Sequence, residues 1–151
     1  VRWKEAGLIR YVGVSVHDRE LASDLAERPD VDVLMHRYNM AHRKSEVSVL
    51  ARAEAADVPV VAFTCTRWGS LLRDHPGWSG NPPTPADCYQ FAFSHPAIDL
   101  ALTAPCSIRE LEENVEALKR GDMSEAERDA WCAYGDLVYG DGTDAFETRW
   151  P

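Results

Sequence analysis

Four short apolar runs, each followed by a segment of helical periodicity, constrain the fold of this chain most. The runs cover residues 8–14, 31–38, 58–64 and 98–103. Apolar residues at helical spacing follow them, over residues 21–26, 43–56, 108–119 and 125–138, with a further helix predicted to begin after Thr84. This alternation predicts parallel strands joined by right-handed crossovers.

Two architectures accommodate such an alternation. Four consecutive βα units with their helices on one side of the sheet form half of an eight-stranded TIM barrel, and a doubly wound sheet is the structural alternative. The sequence has neither a Gly-x-Gly-x-x-Gly pattern after a strand nor a P-loop, which argues against nucleotide folds of those kinds. With 151 residues, we predict an α/β half TIM barrel with a C-terminal helix and an irregular tail, forming one domain over residues 1–151.

Three short patterns predict where the later helices begin. Thr84-Pro85-Ala86-Asp87 combines a capping residue with a proline at the first helical position. Ser107 stands three residues before Glu110, and Ser124 three residues before Glu127. Both pairs fit a capping box, so helices are expected to start directly after each serine.

Charge and cysteine usage exclude several classes of function. The chain carries 16 basic and 25 acidic side chains, a formal net charge of -9, which argues against nucleic-acid or anionic-membrane partners. No apolar run approaches the ~20 residues that span a bilayer. The four cysteines form no Cys-x-x-Cys pair, and Val1-Arg2-Trp3-Lys4-Glu5 lacks an apolar signal core. We therefore predict a cytoplasmic protein with free thiols.

Four segments, taken in order, resemble aldo-keto reductases. They are residues 7–15, 32–39, 60–64 and 111–115. Their order and spacing match the C-terminal half of that family, strands five to eight of its eight-stranded barrel. The family's catalytic Asp, Tyr, Lys and His come from the first four strands. The resemblance thus implies a truncated barrel in which no residue belongs to that tetrad.

The same resemblance implies which residues descend from a nicotinamide-binding site. Ser15 matches a serine that helps to hold the carboxamide, and Phe63 matches an aromatic residue that often stacks under the nicotinamide ring. Glu113 and Asn114 match the pair on the adenine side.

Other cofactor positions depart from the family pattern. Val16 and Met35 replace the Asn and Gln that complete the carboxamide site, and Cys106 lies where a basic residue binds the adenosine phosphate. Each lost polar partner costs ~1–3 kcal/mol, and the phosphate loses a charge-assisted contact. We expect the cofactor-binding positions to be vestigial, with no cofactor used and no carbonyl reduction by this chain alone.

The residues that follow the predicted strands suggest another chemistry. Parallel barrels place active sites at the carboxyl ends of strands. His17 follows the first run, Arg37 ends the second, and Cys65 and Trp68 follow the third. We predict these four as the catalytic residues, with His17 suited to acid–base work. The scattered His and Cys spacing predicts no metal site.

Alternation along the strands predicts which side chains face the barrel interior. If Met35 points inward, Arg37 does too, while His36 and Tyr38 point toward the helices. By the same rule Phe63 and the thiol two residues later would share one face.

An open half-barrel exposes strand edges and an apolar inner face, so we expect a partner to cover them. A homodimer is favoured; a separate N-terminal half, or the long loop and the tail 139–151, are alternatives. We predict an enzyme acting on a small molecule by elimination, isomerisation or cyclisation, in secondary metabolism. The alternatives are the C-terminal half of an NAD(P)H-dependent oxidoreductase that needs its N-terminal half, and a non-catalytic binding subunit.

Overall fold

The computed structural model describes residues 2–142, within which four parallel strands form a single sheet. The strands are β1 (Gly13–Ser15), β2 (Val33–Arg37), β3 (Val60–Phe63) and β4 (Ile98–Ala101). They stand in chain order, and each pairs in parallel with the next, with one register shift between Val60 and Val61. The predicted α/β fold of consecutive βα units is confirmed.

Helices connect and follow these strands. They are α1 (Arg2–Glu5), α2 (Arg19–Ala26), α3 (Ala51–Ala55, continuing a π-helical turn Glu46–Leu50), α4 (Pro85–Phe93), α5 (Ile108–Val115) and α6 (Glu125–Tyr139). Short 3₁₀ turns cover Ser70–Leu72 and Glu116–Lys119. Of the helices in residues 2–142, none has the length and apolar character needed to span a bilayer.

Two of the three predicted helix starts form complete capping boxes. They are Thr84 with Asp87 at α4, and Ser124 with Glu127 at α6. At α5 the Ser107 hydroxyl accepts the Glu110 amide at 3.2 Å. The carboxylate of Glu110, however, accepts from the backbone of the residue before the serine, at 2.7 Å, so this box is incomplete.

Strand β1 is shorter than the predicted run, because only its last part has a partner in the sheet. Pairing begins at Gly13 opposite Val33. Just before it, the Asp32 carboxylate accepts from the backbone amide of Val12 at 2.8 Å and from Lys4 Nζ at 2.6 Å. These bonds hold the N-terminal segment beside the sheet edge without extending the strand.

The two faces of the sheet differ in burial. On the face covered by helices, the buried residues alternate: Leu34 and His36 in β2, and Tyr38 directly after it. The opposite face, called the inner face below, comprises Ser15, Met35, Arg37, Val61, Phe63 and Leu100. Its members are half-buried or exposed, and Leu100 is 48% exposed. The predicted orientations in β2 are confirmed.

Helix α6 packs back onto the loops at the carboxyl ends of the strands. The Arg43 guanidinium donates to the backbone carbonyl of Met40 at 2.8 Å and also pairs with Asp136. The buried Tyr134 hydroxyl donates to the carbonyl of Leu71 at 3.1 Å. The helix therefore anchors both the loop after β2 and the loop after β3. The predicted irregular tail 139–151 lies mostly outside the described residues.

Gly135 marks the closest approach of α6 to the loop after β2. A Cβ atom at this position would lie 2.0 Å from the carbonyl oxygen of Met40. Because backbone atoms cannot move aside cheaply, we expect Gly135→Ala to lower the free energy of unfolding by more than ~2 kcal/mol. Urea unfolding followed by circular dichroism measures this. Gly121→Ala, where nothing lies within 4 Å, is the control, and an equal effect of both substitutions would contradict the tight packing.

Candidate functional site

A cleft at the carboxyl ends of β1 and β2 collects basic and imidazole side chains. Six of them line it: His17, Arg19, His36, Arg37, His42 and Lys44. Ser45 and Tyr139 complete the lining, and the cleft is small, with a cavity volume of about 30 Å³. No carboxylate of residues 2–142 belongs to the lining. We call this the basic cleft; it lies where parallel α/β barrels place their active sites.

The turn after β1 places the side chains of His17 and Arg19 in the basic cleft. His17 follows the strand by two residues, and Asp18 caps α2 by accepting the Leu21 amide at 2.8 Å. Arg19 is therefore the first residue of α2, next to the sheet edge. On the neighbouring strand, Arg37 ends β2 on the inner face, in register with Phe63.

A buried asparagine organises the loop after β2. Asn39 Oδ1 accepts the backbone amides of Ala41 and His42, each at 3.0 Å, and its Nδ2 donates to the carbonyl of Thr64 at 2.9 Å. The last bond ties the loop to the end of β3. Because both ends of the amide are used, these bonds stabilise the loop conformation that brings His42 and Lys44 into the cleft.

Two of the cleft imidazoles are held neutral. The Nδ1 atom of the buried His36 lies 2.8 Å from the Val16 carbonyl, which only accepts, so Nδ1 carries the proton. Burial, with a smaller contribution from the charge of Arg37, lowers the pKa of His36 to about 4, and the bond to Val16 only partly opposes this shift. Burial, and then the charge of Arg37, also lower the pKa of His17. At pH 7 both imidazoles are therefore proton acceptors.

Ser45 and Lys44 show two further features of the lining. Ser45 is 2% exposed, and its hydroxyl has no hydrogen-bond partner within residues 2–142. A buried unpaired polar group costs ~1–3 kcal/mol and calls for an explanation.

Lys44 Nζ lies 5.0 Å from the centre of the Tyr139 ring and donates to its hydroxyl at 3.3 Å. The ammonium thus rests on an aromatic face at the cleft wall.

The structure brings together two of the four predicted catalytic residues. His17 and Arg37 share the basic cleft. Cys65 is buried in the core instead, where burial raises the pKa of its thiol to about 12. Trp68 lies in the loop after β3, is 49% exposed and does not line the cleft.

The expectation that Phe63 and Cys65 share one face is wrong. Phe63 is half-buried on the inner face, whereas Cys65 belongs to the core on the other side. Thr64, between them, has a left-handed φ of 55°. A single residue in this conformation breaks the alternation of an extended strand, so side chains two apart no longer point the same way.

The predicted cofactor positions are spread over the inner face and α5. Ser15 lies beside Met35 in the sheet, and the Phe63 ring meets the His17 imidazole edge-on, with centroids 5.1 Å apart. Asn114 Nδ2 donates to the hydroxyl of Thr103 at 2.6 Å, within the chain itself.

The remaining cofactor-related positions offer no polar group to the inner face. Glu113 pairs with Arg109 at 3.8 Å on the exposed side of α5. Val16 is buried in the core. Within residues 2–142, no three His, Cys, Asp or Glu side chains come close enough to hold a metal ion.

Six lining residues were not among the predicted site residues: Arg19, His36, His42, Lys44, Ser45 and Tyr139. Arg19 comes two residues after His17, and Lys44 ends the basic run His42-Arg43-Lys44. A rule that counts basic residues directly after strands would have found both. Tyr139 is the last residue of α6, and no local sequence pattern predicts that this helix end lies at the cleft.

Comparison with known proteins identifies the architecture. No family model matches the sequence, and no curated protein matches it. Among solved structures, the holo form of aldo-keto reductase AKR11C1 from Bacillus halodurans is similar, with a TM-score of 0.73 and 20% identity over 88% of this chain. Its apo form gives a TM-score of 0.72 at 20% identity over 88% of this chain. The present chain has the fold of part of an aldo-keto reductase.

The match covers only part of the reductase chain. The chain spans 52% of the holo and 53% of the apo reductase chain. Four parallel βα units that match about half of such a protein correspond to part of a TIM barrel, as predicted. At 20% identity the similarity establishes the fold, and the activity has to be inferred from the residues of the site.

The burial of His36 predicts how stability depends on pH. The unfolded imidazole binds a proton near pH 6.5 and the folded one near pH 4. Stability is therefore complete above pH 6.5 and is lost as the pH falls toward 4, by up to ~3 kcal/mol. His36→Gln, which keeps an N–H for the Val16 carbonyl, is expected to flatten this loss. Urea unfolding at pH 7 and pH 5 measures it.

His75→Gln is the control for that experiment, because this imidazole lies in the loop after β3 and bonds the Gly77 amide, outside the cleft. Its stability profile should follow that of the unaltered protein. If His36→Gln and His75→Gln have equal slopes, His36 does not control the pH dependence.

Proposed function

We propose that this chain is an enzyme that acts on a small molecule by acid–base chemistry, on a partial aldo-keto-reductase scaffold that no longer performs redox catalysis. One observation carries the proposal: His17 and Arg37 line the same cleft at the carboxyl ends of neighbouring strands. Fold alone would not support it, because one scaffold hosts many activities.

His17 serves as the general base. Its imidazole is neutral near pH 7, because burial and the charge of Arg37 lower its pKa. The edge-on contact with Phe63 fixes the ring orientation. A positioned base of this kind removes a proton from a carbon or oxygen acid of the substrate and returns it elsewhere.

Arg37 stabilises the negative charge that develops as the proton leaves. Its guanidinium lies at the end of β2 beside Phe63, so it faces the same space as His17. Fixed donors aimed at developing charge are usually the largest catalytic contribution. Elimination, isomerisation and cyclisation all begin with such a step, and we propose one of these reactions, in secondary metabolism.

Loss of cofactor use follows from the vestigial positions. The Phe63 ring, where a nicotinamide would stack in the resemblance, contacts the chain's own His17. Asn114 is engaged by Thr103. Met35, beside Ser15, offers no hydrogen bond to a carboxamide. These contacts support a site that works without NAD(P)H.

The test is turnover without added cofactor. A panel of small carboxylates, phosphate esters and neutral analogues is incubated with the protein, and products are followed by mass spectrometry. His17→Gln is expected to lower kcat by about 10²-fold or more, since it removes the base. Arg37→Gln is expected to raise KM and also lower kcat. His75→Gln, outside the cleft, is the control; an equal loss there, or unchanged turnover in both cleft variants, contradicts the assignment.

A second candidate is the C-terminal half of an NAD(P)H-dependent oxidoreductase that needs its N-terminal half. The observation in its favour is coverage, since the chain spans only 52% of the similar reductase. Fluorescence titration with NADPH separates the candidates. Saturable binding at micromolar cofactor would favour the reductase half, and its absence favours the proposed enzyme. A ligand that binds but is never converted would instead indicate a non-catalytic binding subunit.

We further propose that a second copy of the chain covers the inner face, forming a homodimer. Met35, Val61, Phe63 and Leu100 give this face an apolar character, and they remain half-buried or exposed. Parallel sheets are otherwise covered on both sides. A second copy would supply four more strands, which is the number needed to complete the eight strands of a barrel.

Light scattering tests the dimer. The unaltered protein is expected at twice the mass of one chain, and Leu100→Lys at the mass of one chain, because a charge on the inner face cannot be buried unpaired. Val47→Lys is the matched control, since Val47 is 89% exposed on the helical side. A monomeric unaltered protein, or dissociation by both substitutions, would contradict the interface.

A further inference from the structure

We infer that the side chain of Tyr139 closes the basic cleft, that Arg67 positions it there, and that the space it fills is a binding site for the aromatic ring of a ligand. The inference rests on the proposed function in that it concerns the same site and names the class of molecule that enters it. It depends on the size of the cleft and on the contacts around the Tyr139 ring.

The basic cleft is too small for an organic molecule in this conformation. Its cavity volume is about 30 Å³, which is enough for water, since one molecule needs roughly 10–15 Å³. Pockets that bind small molecules enclose roughly 300–1,000 Å³. A substrate of the proposed enzyme therefore enters the cleft only when one of the lining side chains moves aside.

Tyr139 is the lining side chain best placed to move. It is the last residue of α6 and is half-buried, whereas His36 and Ser45 are each 2% exposed. Helix ends open more readily than the core of a protein. Gly140 and Gly142 follow with φ angles of 59° and 74°, which glycine adopts without strain. A Cβ atom at Gly142 would lie 2.7 Å from the Tyr139 hydroxyl, so this glycine leaves the hydroxyl its space.

Two side chains of the loop after β2 hold the ring in the closed position. Lys44 Nζ lies 5.0 Å from the centre of the Tyr139 ring and donates to its hydroxyl at 3.3 Å. The imidazole of His42 meets the same ring nearly at right angles, with centroids 5.5 Å apart. A cation near a ring and an edge-to-face ring pair are both favourable and both reversible, because neither buries an ion pair.

Arg67 holds the end of α6 from the loop after β3. Its side chain is 1% exposed, and its guanidinium donates to the backbone carbonyl of Val138, the residue before Tyr139. Its Cζ atom lies 5.9 Å from the centre of the Tyr139 ring. Arg67 and Trp68 have left-handed φ angles of 51° and 52°, a conformation that costs energy in residues other than glycine and persists where surrounding contacts fix it. Arg67 is therefore a positioning residue for Tyr139.

The surroundings of the ring define the ligand class. Two cations, Lys44 and Arg67, and the His42 imidazole lie around one aromatic ring. The electron-rich face of an aromatic ring attracts cations, and a saturated ring has no such face. When Tyr139 moves out, the space it leaves thus matches an aromatic ring better than an aliphatic one, and a hydroxyl on that ring can accept from Lys44.

The experiment is an NMR titration of the Tyr139→Ala protein with phenol, which supplies the ring and hydroxyl that the substitution removes. Saturable binding with shifts of the His42 imidazole resonances is expected. The unaltered protein and Tyr139→Phe, whose own rings fill the space, should bind phenol at least about 10-fold more weakly. Cyclohexanol, of similar size but without an aromatic face, should bind Tyr139→Ala about 5-fold more weakly than phenol does.

Tyr139→Leu keeps an apolar side chain at the end of α6, so the test does not depend on the folding of one variant. It is expected to bind phenol with an affinity between those of Tyr139→Ala and the unaltered protein. Circular dichroism confirms that each variant is folded.

Arg67→Lys tests the positioning role. Lysine keeps the charge but lacks the planar guanidinium, so the His42 resonances should shift toward those of Tyr139→Ala, and phenol should bind about 3-fold more tightly than to the unaltered protein. A merely structural role would lower the stability without raising this affinity. Arg73→Lys, at an exposed position of the same loop, is the matched control and should change neither.

Equal phenol affinity of the unaltered and Tyr139→Ala proteins, unsaturable binding by both Tyr139→Ala and Tyr139→Leu, or equal affinity for phenol and cyclohexanol would overturn the inference. Ring binding by Tyr139→Ala without turnover of any compound by the unaltered protein would overturn the proposed enzyme and leave the ring site standing. Turnover that depends on His17, without ring binding, would do the reverse, so the two failures are distinguishable.

Discussion

Within residues 2–142, helices cover only one face of the four-stranded parallel sheet, and the rest of the structure depends on this constraint. The covered face buries Leu34, Tyr38 and Val60 and forms the core. The inner face keeps Met35, Phe63 and Leu100 half-buried or exposed. Parallel sheets are usually covered on both faces, and the exposure of the inner face is the observation behind the proposed homodimer.

The carboxyl ends of the strands acquire their chemistry from loops that are held rigidly. Asn39 ties the loop after β2 to the end of β3, and Gly135 lets α6 approach the backbone of that loop. A polar network joins the same region to the core, since the Tyr38 hydroxyl and the Arg128 guanidinium both donate to Glu46, at 2.7 and 2.8 Å. Rigid support of this kind is what a binding or catalytic site requires, because small displacements weaken both.

Local patterns predicted much of this architecture. Strands β2, β3 and β4 lie within their predicted runs, and the caps at Thr84 and Ser124 start their helices where expected. The first run was predicted too long, because pairing with a neighbour, and not composition, decides where an edge strand begins. Alternation predicted the inward position of Arg37 but failed at Cys65, where one left-handed residue reverses the face.

The sequence by itself determined the order of strands and helices, the helix caps and the placement of His17 and Arg37 at strand ends, since periodicity and capping are local properties of the chain. Only the tertiary structure decided which reactive side chains meet. It removed Cys65 into the core and left Trp68 outside the cleft. It also brought Lys44, Ser45 and Tyr139 to the cleft beside His17. These contacts between side chains depend on a left-handed turn and on the packing of a helix against distant segments. Neither produces a periodic pattern in the sequence.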